Sequence, residues 1–128
     1  MGVVKQDSGY VWSDTPDRIY DGCTASATIT TGQVLEVTGS GTLGPAGAAS
    51  TATVGMAVGN AASGAPVRLY TANGVWSSTA SGGITAGARL VAGAAGTVAT
   101  IGANTFQTMI GTALTTALNG AQVLWVPV

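Results

Sequence analysis

The chain has 128 residues, with four Lys and Arg, five Asp and Glu, one Cys and no His, and its formal net charge is −1. This length suits one domain, which can bury roughly two thirds of its unfolded surface. Four dispersed cations cannot neutralise many phosphates, and without His a metal site lacks a common ligand and a nucleophilic triad lacks its base. We therefore expect no nucleic-acid partner, no metal or other cofactor and no small-molecule substrate.

Charge is concentrated at the N-terminus, and the rest of the chain is almost neutral. Such a neutral body favours association with other protein surfaces, although a well-hydrated Thr, Ser and Asn surface is the alternative. No apolar stretch is long and continuous enough to predict a signal peptide or a membrane span. The charged residues are Lys5, Asp7, Asp14, Asp17, Arg18 and Asp21, followed only by Glu36, Arg68 and Arg89.

Residues 1–22 differ in character from the remainder and are interpreted as an extended arm, with residues 23–128 as the folded domain. The segment shows no 3.6-residue apolar period, and Pro16 within SDTPD is typical of a turn. Tyr10, Trp12 and Tyr20 are three of the chain's seven aromatic residues. An edge strand that packs these aromatics on its own domain is an equally open interpretation.

Short candidate strands separated by Gly-containing turns follow the arm, at a spacing near ten residues. This pattern predicts an all-β fold, a small barrel or sandwich. Residues 40–52 are expected to form a long loop, and TALTTAL leaves a helix possible over residues 113–118. The predicted strands are 33–38, 53–58, 66–70, 75–77, 89–91, 97–101, 107–114 and 122–126.

The chain is internally repetitive. Residues 24–43 and 79–98 share nine of twenty positions without a gap, and residues 54–70 and 110–126 share six of seventeen. We therefore predict a pseudo-duplication of residues 24–70 and 79–126. Two such halves are expected to pack around a pseudo-two-fold axis into one barrel.

Four glycines recur at matching places in the two copies. Gly32 and Gly87 stand just before a strand, where a turn that needs positive φ favours glycine. Gly64 and Gly120 belong to tight turns that enter the next strand. These glycines are predicted to be structural and not reactive.

Enzymatic chemistry has little support in this sequence. A carboxylate hydrolase would have to use Asp14, Asp17 or Glu36, and a solvated acidic face explains the same residues. Trp76 and Trp125 are candidate stacking platforms for a glycan, or core residues in an Ala-rich protein. Cys23 has no partner for an intrachain disulfide.

The residue pattern of the second half resembles that of the phage capsid decoration proteins, also called cement proteins. The resemblance covers roughly residues 22–128. It is carried by ANGVWSSTASGGITAGARLVAGAAGTV at residues 72–98 and by MIGTALTTALNGAQVLWVPV at residues 109–128.

The resemblance implies a structural protein on the outer surface of the phage capsid, made in the host cytoplasm and incorporated into the virion. It implies a homotrimer that binds the major capsid protein and stabilises the assembled shell. A head-fibre or tail-associated β module that binds a receptor or glycan is the alternative. The residues expected to bind the capsid are those of the arm: Tyr10, Trp12, Asp14, Asp17, Arg18 and Tyr20.

Overall fold

The computed structural model describes residues 19–71 and 74–128, and this part of the chain is all-β, as predicted. Two short 3₁₀ turns, Ala94–Gly96 and Phe106–Thr108, interrupt the strands. None of the helices among the described residues is long and apolar enough to cross a membrane. The strands are β1 Ile19–Ala25, β2 Val34–Gly39, β3 Thr42–Pro45, β4 Thr53–Ala57, β5 Pro66–Tyr70, β6 Trp76–Thr79, β7 Arg89–Ala92, β8 Val98–Thr100, β9 Met109–Ala113 and β10 Gln122–Pro127.

The strands form two sheets, one from each half of the chain. β1 to β5 make a closed barrel in the order β1-β3-β2-β4-β5, because β5 pairs antiparallel with β1 while β3 pairs parallel with it. β6 to β10 make a five-stranded sheet in the order β6-β10-β9-β7-β8. We call residues 19–71 repeat 1 and residues 74–128 repeat 2.

The two repeats follow the same backbone path, which confirms the predicted duplication. Ala25 bridges Leu43 in parallel in repeat 1, and Ala80 bridges Val98 in parallel 55 residues later. The antiparallel bridge of Ile29 to Ala61 likewise recurs between Ile84 and Ala117. The Ala80 bridge brings the end of β6 beside β8, the opposite edge of its sheet, so repeat 2 approaches the same closed order as repeat 1.

The expectation of one barrel shared by both halves is wrong. In repeat 1 the first strand pairs with both the third and the fifth strand, so the hydrogen-bonding edges are satisfied within the repeat. A closed sheet has no free edge to offer a second half. Each repeat therefore builds its own sheet, and the repeats meet through side chains and loops.

All eight predicted strands are present, together with β1, which the edge-strand interpretation of the N-terminal segment left open, and β3, which was not expected. β1 lies where the arm was expected to end, and β3 lies inside the expected loop over residues 40–52. The possible helix over residues 113–118 is wrong. Ala117 instead bridges Ile84, and the Oγ1 atom of Thr115 accepts a hydrogen bond from the backbone N–H of Leu124 at 3.0 Å.

Two apolar clusters fill the molecule. One lies within the barrel of repeat 1, and the other combines the interior of repeat 2 with Val34 and Ala46 of repeat 1. Trp76 and Trp125 form the bulkiest part of the second cluster, with their ring centroids 5.0 Å apart and the planes at 77°. This edge-to-face pair supplies apolar volume that the many alanines cannot.

A buried serine connects the two repeats. Ser78 on β6 is 1% exposed, and its Oγ atom donates to the carbonyl oxygen of Gly32 in repeat 1 at 3.1 Å. The same Oγ atom accepts from Nε1 of Trp125 at 3.1 Å. The indole N–H and a turn of the other repeat are thus satisfied by one hydroxyl.

The four duplicated glycines all have positive φ. The values are 89° for Gly32, 88° for Gly87, 88° for Gly64 and 83° for Gly120. The backbone N–H groups of Gly32 and Gly87 donate to equivalent acceptors, the carbonyl oxygens of Ala57 and Ala113. The repeated backbone path explains why glycine recurs at these positions.

We expect Gly87→Ala to lower the free energy of unfolding by about 1–2 kcal/mol, because a Cβ atom is strained at this left-handed φ. A Cβ atom at Gly87 would meet no neighbour within 4 Å, so the loss would come from the backbone alone. Gly83→Ala is the matched control in the same loop, since Gly83 has open space and no positive φ. Urea unfolding of both variants measures the difference, and equal stabilities would contradict the argument.

Ser78→Ala is expected to cost about 1–3 kcal/mol of stability, because the buried indole N–H of Trp125 loses its acceptor. Ser77→Ala serves as the control, since Ser77 is exposed and its Oγ atom donates only to the Gln122 side chain at 2.9 Å. Its loss should stay within about 0.5 kcal/mol. Thermal unfolding of the two variants decides the matter, and a Ser78 variant as stable as the Ser77 variant would refute the role of the buried bridge.

Candidate interaction surface

The residues predicted to bind the capsid fall mostly outside the described part of the chain, which begins at Ile19. Tyr20 lies in β1 and is 57% exposed. Residues 19–22, which the sequence assigned to the arm, lie in β1 and contribute to the closed barrel. Tyr10, Trp12, Asp14, Asp17 and Arg18 lie outside the described residues.

The charged groups of the described residues are dispersed. Asp21 lies 3.4 Å from Nε of Arg68, and both side chains are well exposed, so this pair contributes little stability. Oε1 of Glu36 accepts a hydrogen bond from the backbone N–H of Gly47 at 3.2 Å. In the described ranges no three His, Cys, Asp or Glu residues come together as a metal site would require. The thiol of Cys23 is free and half-buried.

Neither of the two tryptophans in repeat 2 presents a ring face to solvent. Trp76 is 5% exposed and Trp125 is 1% exposed. A stacking platform for a sugar needs an accessible ring face. The structure therefore supports the core role of these residues over the glycan-binding alternative.

An exposed apolar surface lies on the outer side of repeat 2. Val123 and Trp125 point inward from β10, so Leu124 between them points outward. The backbone N–H of Leu114 donates to the carbonyl oxygen of Leu124 at 2.7 Å, which places these two leucines side by side. The surface, which we call the leucine face, comprises Leu114 (48% exposed) and Leu124 (43%), with Val75 (59%) on the same outer side where β6 begins beside β10.

The equivalent surface of repeat 1 is different. At the 56-residue offset of the second repeated segment, Leu124 corresponds to Arg68 and Leu114 corresponds to Val58. Arg68 pairs with Asp21 there, whereas the leucine face contains no charged residue. One backbone position thus carries a paired arginine on repeat 1 and an exposed leucine on repeat 2.

Sequence reasoning did not single out these leucines. The signal was present in the repeat alignment, where VRLY of repeat 1 stands against VLWV of repeat 2. Between these segments, neighbouring residues of the inward face and of the outward face both differ. Which of them is exposed to solvent can be decided only when the inward face of the strand is known. Exposed large apolar groups on a shared face mark interaction sites.

Two clefts of about 240 Å³ each lie between the repeats. The first is bounded by Val54 of repeat 1 and by Met109 and Val128 of repeat 2. The second includes Gln33, whose Nε2 atom donates to the carbonyl oxygen of Ala95 at 3.1 Å. Gln122 on its other side donates from Nε2 to Oγ1 of Thr79 at 2.9 Å. These polar side chains already have partners within the protein.

Comparison with solved structures finds a similar fold in a phage structural protein. The N base of the head fibre protein gp8.5 of bacteriophage phi29 superposes with a TM-score of 0.70 over 86% of this chain and 92% of that one. The two sequences are 21% identical, so the likeness concerns the fold. No curated protein sequence matches this chain.

The family itself is established by sequence. The pattern of the phage cement proteins matches residues 13–128, which is nearly the whole chain and includes both repeats. This match confirms the resemblance expected from the glycine-rich segments of repeat 2. The chain therefore belongs to the phage cement protein family and has a structural role in capsid decoration.

Proposed function

We propose that this protein binds the major capsid protein on the outer surface of an assembled phage head as a homotrimer and stabilises the shell. It is made in the host cytoplasm and then joins the virion. Family membership over residues 13–128 carries the proposal. A protein that binds only the assembled lattice stabilises that lattice by mass action.

The leucine face is the surface through which the subunits of the trimer meet. Homomeric interfaces are more apolar than the remaining surface of a protein, and their centres are depleted of charge. Leu114, Leu124 and Val75 meet both conditions, whereas the equivalent surface of repeat 1 carries Arg68 and Asp21. A three-fold arrangement requires this face to contact a different surface of the next subunit.

The N-terminal arm supplies the contact with the capsid. An extended segment can add a strand to a neighbouring sheet through backbone hydrogen bonds, while aromatic side chains anchor it. Tyr10, Trp12 and Tyr20 would be these anchors, and Asp14, Asp17 and Arg18 would set the register by charge. Tyr20 extends from β1 and is 57% exposed, which suits a contact that begins at the barrel wall.

We infer that the protein has no catalytic activity. Its family is structural, and the two side-chain carboxylates of the described residues have different partners. Glu36 is engaged with the backbone of Gly47, and Asp21 is engaged with Arg68. Unchanged behaviour of a Glu36→Gln variant in head stabilisation would agree with this inference.

The fold likeness to a head fibre base favours a second candidate. In that case the domain would be a head-fibre module that binds a receptor or glycan. Trp76 and Trp125 are buried, so another surface would have to hold the sugar. Specific binding on a glycan array, without binding to heads, would favour this candidate.

Leu124→Glu should weaken self-association by at least about tenfold, because a charge would have to be buried at the subunit contact. Val37→Glu is the matched control, since Val37 is similarly exposed, at 47% against 43%, and lies on β2 of repeat 1. Light scattering over a range of concentrations measures the mass of each variant. A Leu124 variant that assembles as the wild type does would remove the leucine face from the proposal.

Deletion of residues 1–18 should abolish binding to heads and leave a folded body that still self-associates. The deletion stops before Ile19 because β1 begins there and pairs with β5 to close the barrel. Cosedimentation with expanded empty heads measures the binding, and thermal unfolding reports on the body. Undiminished cosedimentation of the truncated protein would show that the arm is not the capsid contact.

A further inference from the structure

The turn between β9 and β10 carries an Asn-Gly pair that faces solvent. Asn119 and Gly120 are both exposed, and Gly120 has a φ of 83°. A Cβ atom added at Gly120 would meet no neighbour within 4 Å, so the space beside this residue is open. The side-chain amide carbon of an asparagine is an electrophile, and the backbone nitrogen of the next residue is a nucleophile within its reach. This pair is therefore a candidate for a reaction of the chain with itself.

Two hydrogen bonds hold the pair to the segment that follows β6. The backbone N–H of Gly120 donates to the carbonyl oxygen of Ala80 at 2.9 Å, and the backbone N–H of Gly82 donates to Oδ1 of Asn119 at 2.8 Å. The first bond occupies the nucleophile, whereas the second stabilises negative charge that develops on Oδ1 during attack. Because the turn is exposed, the first bond opens by local fluctuation without unfolding of the repeat. The fold thus slows the reaction and does not block it.

We propose that Asn119 is a site of spontaneous deamidation in the folded protein. The nitrogen of Gly120 loses its proton to solvent and bonds to Cγ of Asn119, and the bond from Cγ to Nδ2 breaks. Ammonia leaves, and a five-membered succinimide remains. Water then opens this ring at either of its two carbonyl carbons. One product has aspartate at position 119, and the other has an isoaspartyl linkage with an extra methylene in the main chain. The net change is gain of water and loss of ammonia.

The other two asparagines of the described residues lack this combination of features. Oδ1 of Asn60 accepts from both the backbone N–H and the Oγ1 atom of Thr31, at 2.9 and 3.2 Å. The next residue, Ala61, is 7% exposed, and its backbone N–H is hydrogen-bonded. Asn104 is followed by Thr105, whose branched Cβ crowds the approach to its nitrogen. Among these three asparagines, we expect conversion only at position 119.

Repeat 1 contains the same turn without the reactive amide. At the 56-residue offset, Asn119 corresponds to Ser63. Gly64 after it has a φ of 88° and donates its N–H to the carbonyl oxygen of Ala25 at 2.8 Å, as Gly120 does to Ala80. The turn therefore does not require asparagine. Asn119→Ser is the matched unreactive variant, and it should fold as the wild type does.

Incubation of the intact protein at neutral and at mildly alkaline pH, followed by peptide mapping with mass spectrometry, tests the proposal. Acid should accumulate at position 119, and faster at the higher pH, because the attacking nitrogen must lose a proton. Positions 60 and 104 should remain amides. Trypsin cleaves after Arg68 and Arg89, which separates these positions from Asn73, an asparagine before glycine that lies outside the described residues. Conversion at position 119 no faster than at positions 60 and 104 would overturn the proposal.

The same measurement in urea tests the restraint by the fold. Once the chain is unfolded, the hydrogen bond from Gly120 to Ala80 is lost, so conversion at position 119 should be faster than in buffer. Equal rates in buffer and in urea would overturn the restraint assigned to that bond. Asn119→Ser should show no conversion at this position in either condition.

The two products are expected to differ in stability. A carboxylate at position 119 still accepts the hydrogen bond from Gly82, whereas the isoaspartyl linkage lengthens the main chain inside the turn. Asn119→Asp should therefore unfold at the same temperature as Asn119→Ser, and aged wild type should unfold at a lower temperature. Endoproteinase Asp-N distinguishes the products because it cleaves before aspartate and not before isoaspartate. Aged protein that contains isoaspartate and is as stable as fresh protein would refute this effect of the linkage.

Either product also changes the charge of repeat 2. Arg89 is the one charged residue in the sequence of residues 74–128, so a carboxylate at position 119 cancels its charge. Isoelectric focusing should show an acidic form that increases with incubation in wild type and is absent from Asn119→Ser. Heads are absent from all these measurements, so their outcome does not depend on whether the protein binds a capsid.

Discussion

The parallel pairing of the first strand of a repeat with its third strand is the contact on which the rest of the structure depends. In repeat 1 this pairing joins β1 to β3 through Ala25 and Leu43, while β5 closes the other side of β1. In repeat 2 it is reduced to the bridge between Ala80 and Val98. Closure satisfies backbone groups that an open five-stranded sheet would leave at its edges.

Closure matters here because the core is poor in large side chains. Alanines such as Ala46, Ala57 and Ala113 are fully buried but remove little apolar surface from water. Backbone hydrogen bonding and close approach of strands compensate for this. Gly111 on β9, for example, lies where a Cβ atom would collide with the carbonyl oxygen of Val126 and the ring of Trp125. The strands approach one another because the residues between them are small.

The sequence predicted the fold class, eight strands and the duplication, since these depend on local alternation and on matching glycines. β3 was missed because TLGP has only one large apolar residue and pairs with both β1 and β2 inside what reads as a glycine-rich loop. β1 was left open between arm and edge strand because its bulge between Tyr20 and Cys23 disrupts the alternation. Neither the closed order nor the separation into two sheets has a local signal, because both depend on pairings between distant strands.

The candidate surface was harder to predict than the fold. The aromatic residues of the N-terminal segment are predicted from the sequence to be anchors, whereas the leucines of repeat 2 have the residue type of the core. Their exposure follows from strand direction: Leu124 stands between Val123 and Trp125, which are buried. Only the alternation within β10 places it on the outside.

A duplicated fold contains each kind of surface twice. Residues on the surface of one repeat can therefore change while those on the other repeat are kept. The position of Leu124 is Arg68 in repeat 1, where an ion pair with Asp21 keeps the surface hydrated. Both residues occupy the outer side of the last strand of their repeat, so the exchange leaves the inward side chains Val67 and Val123 in place. The inward valine is thus shared by the two repeats, whereas the outward residue beside it differs in charge. The pseudo-symmetric chain is therefore asymmetric at this outer position, which is charged on repeat 1 and apolar on repeat 2.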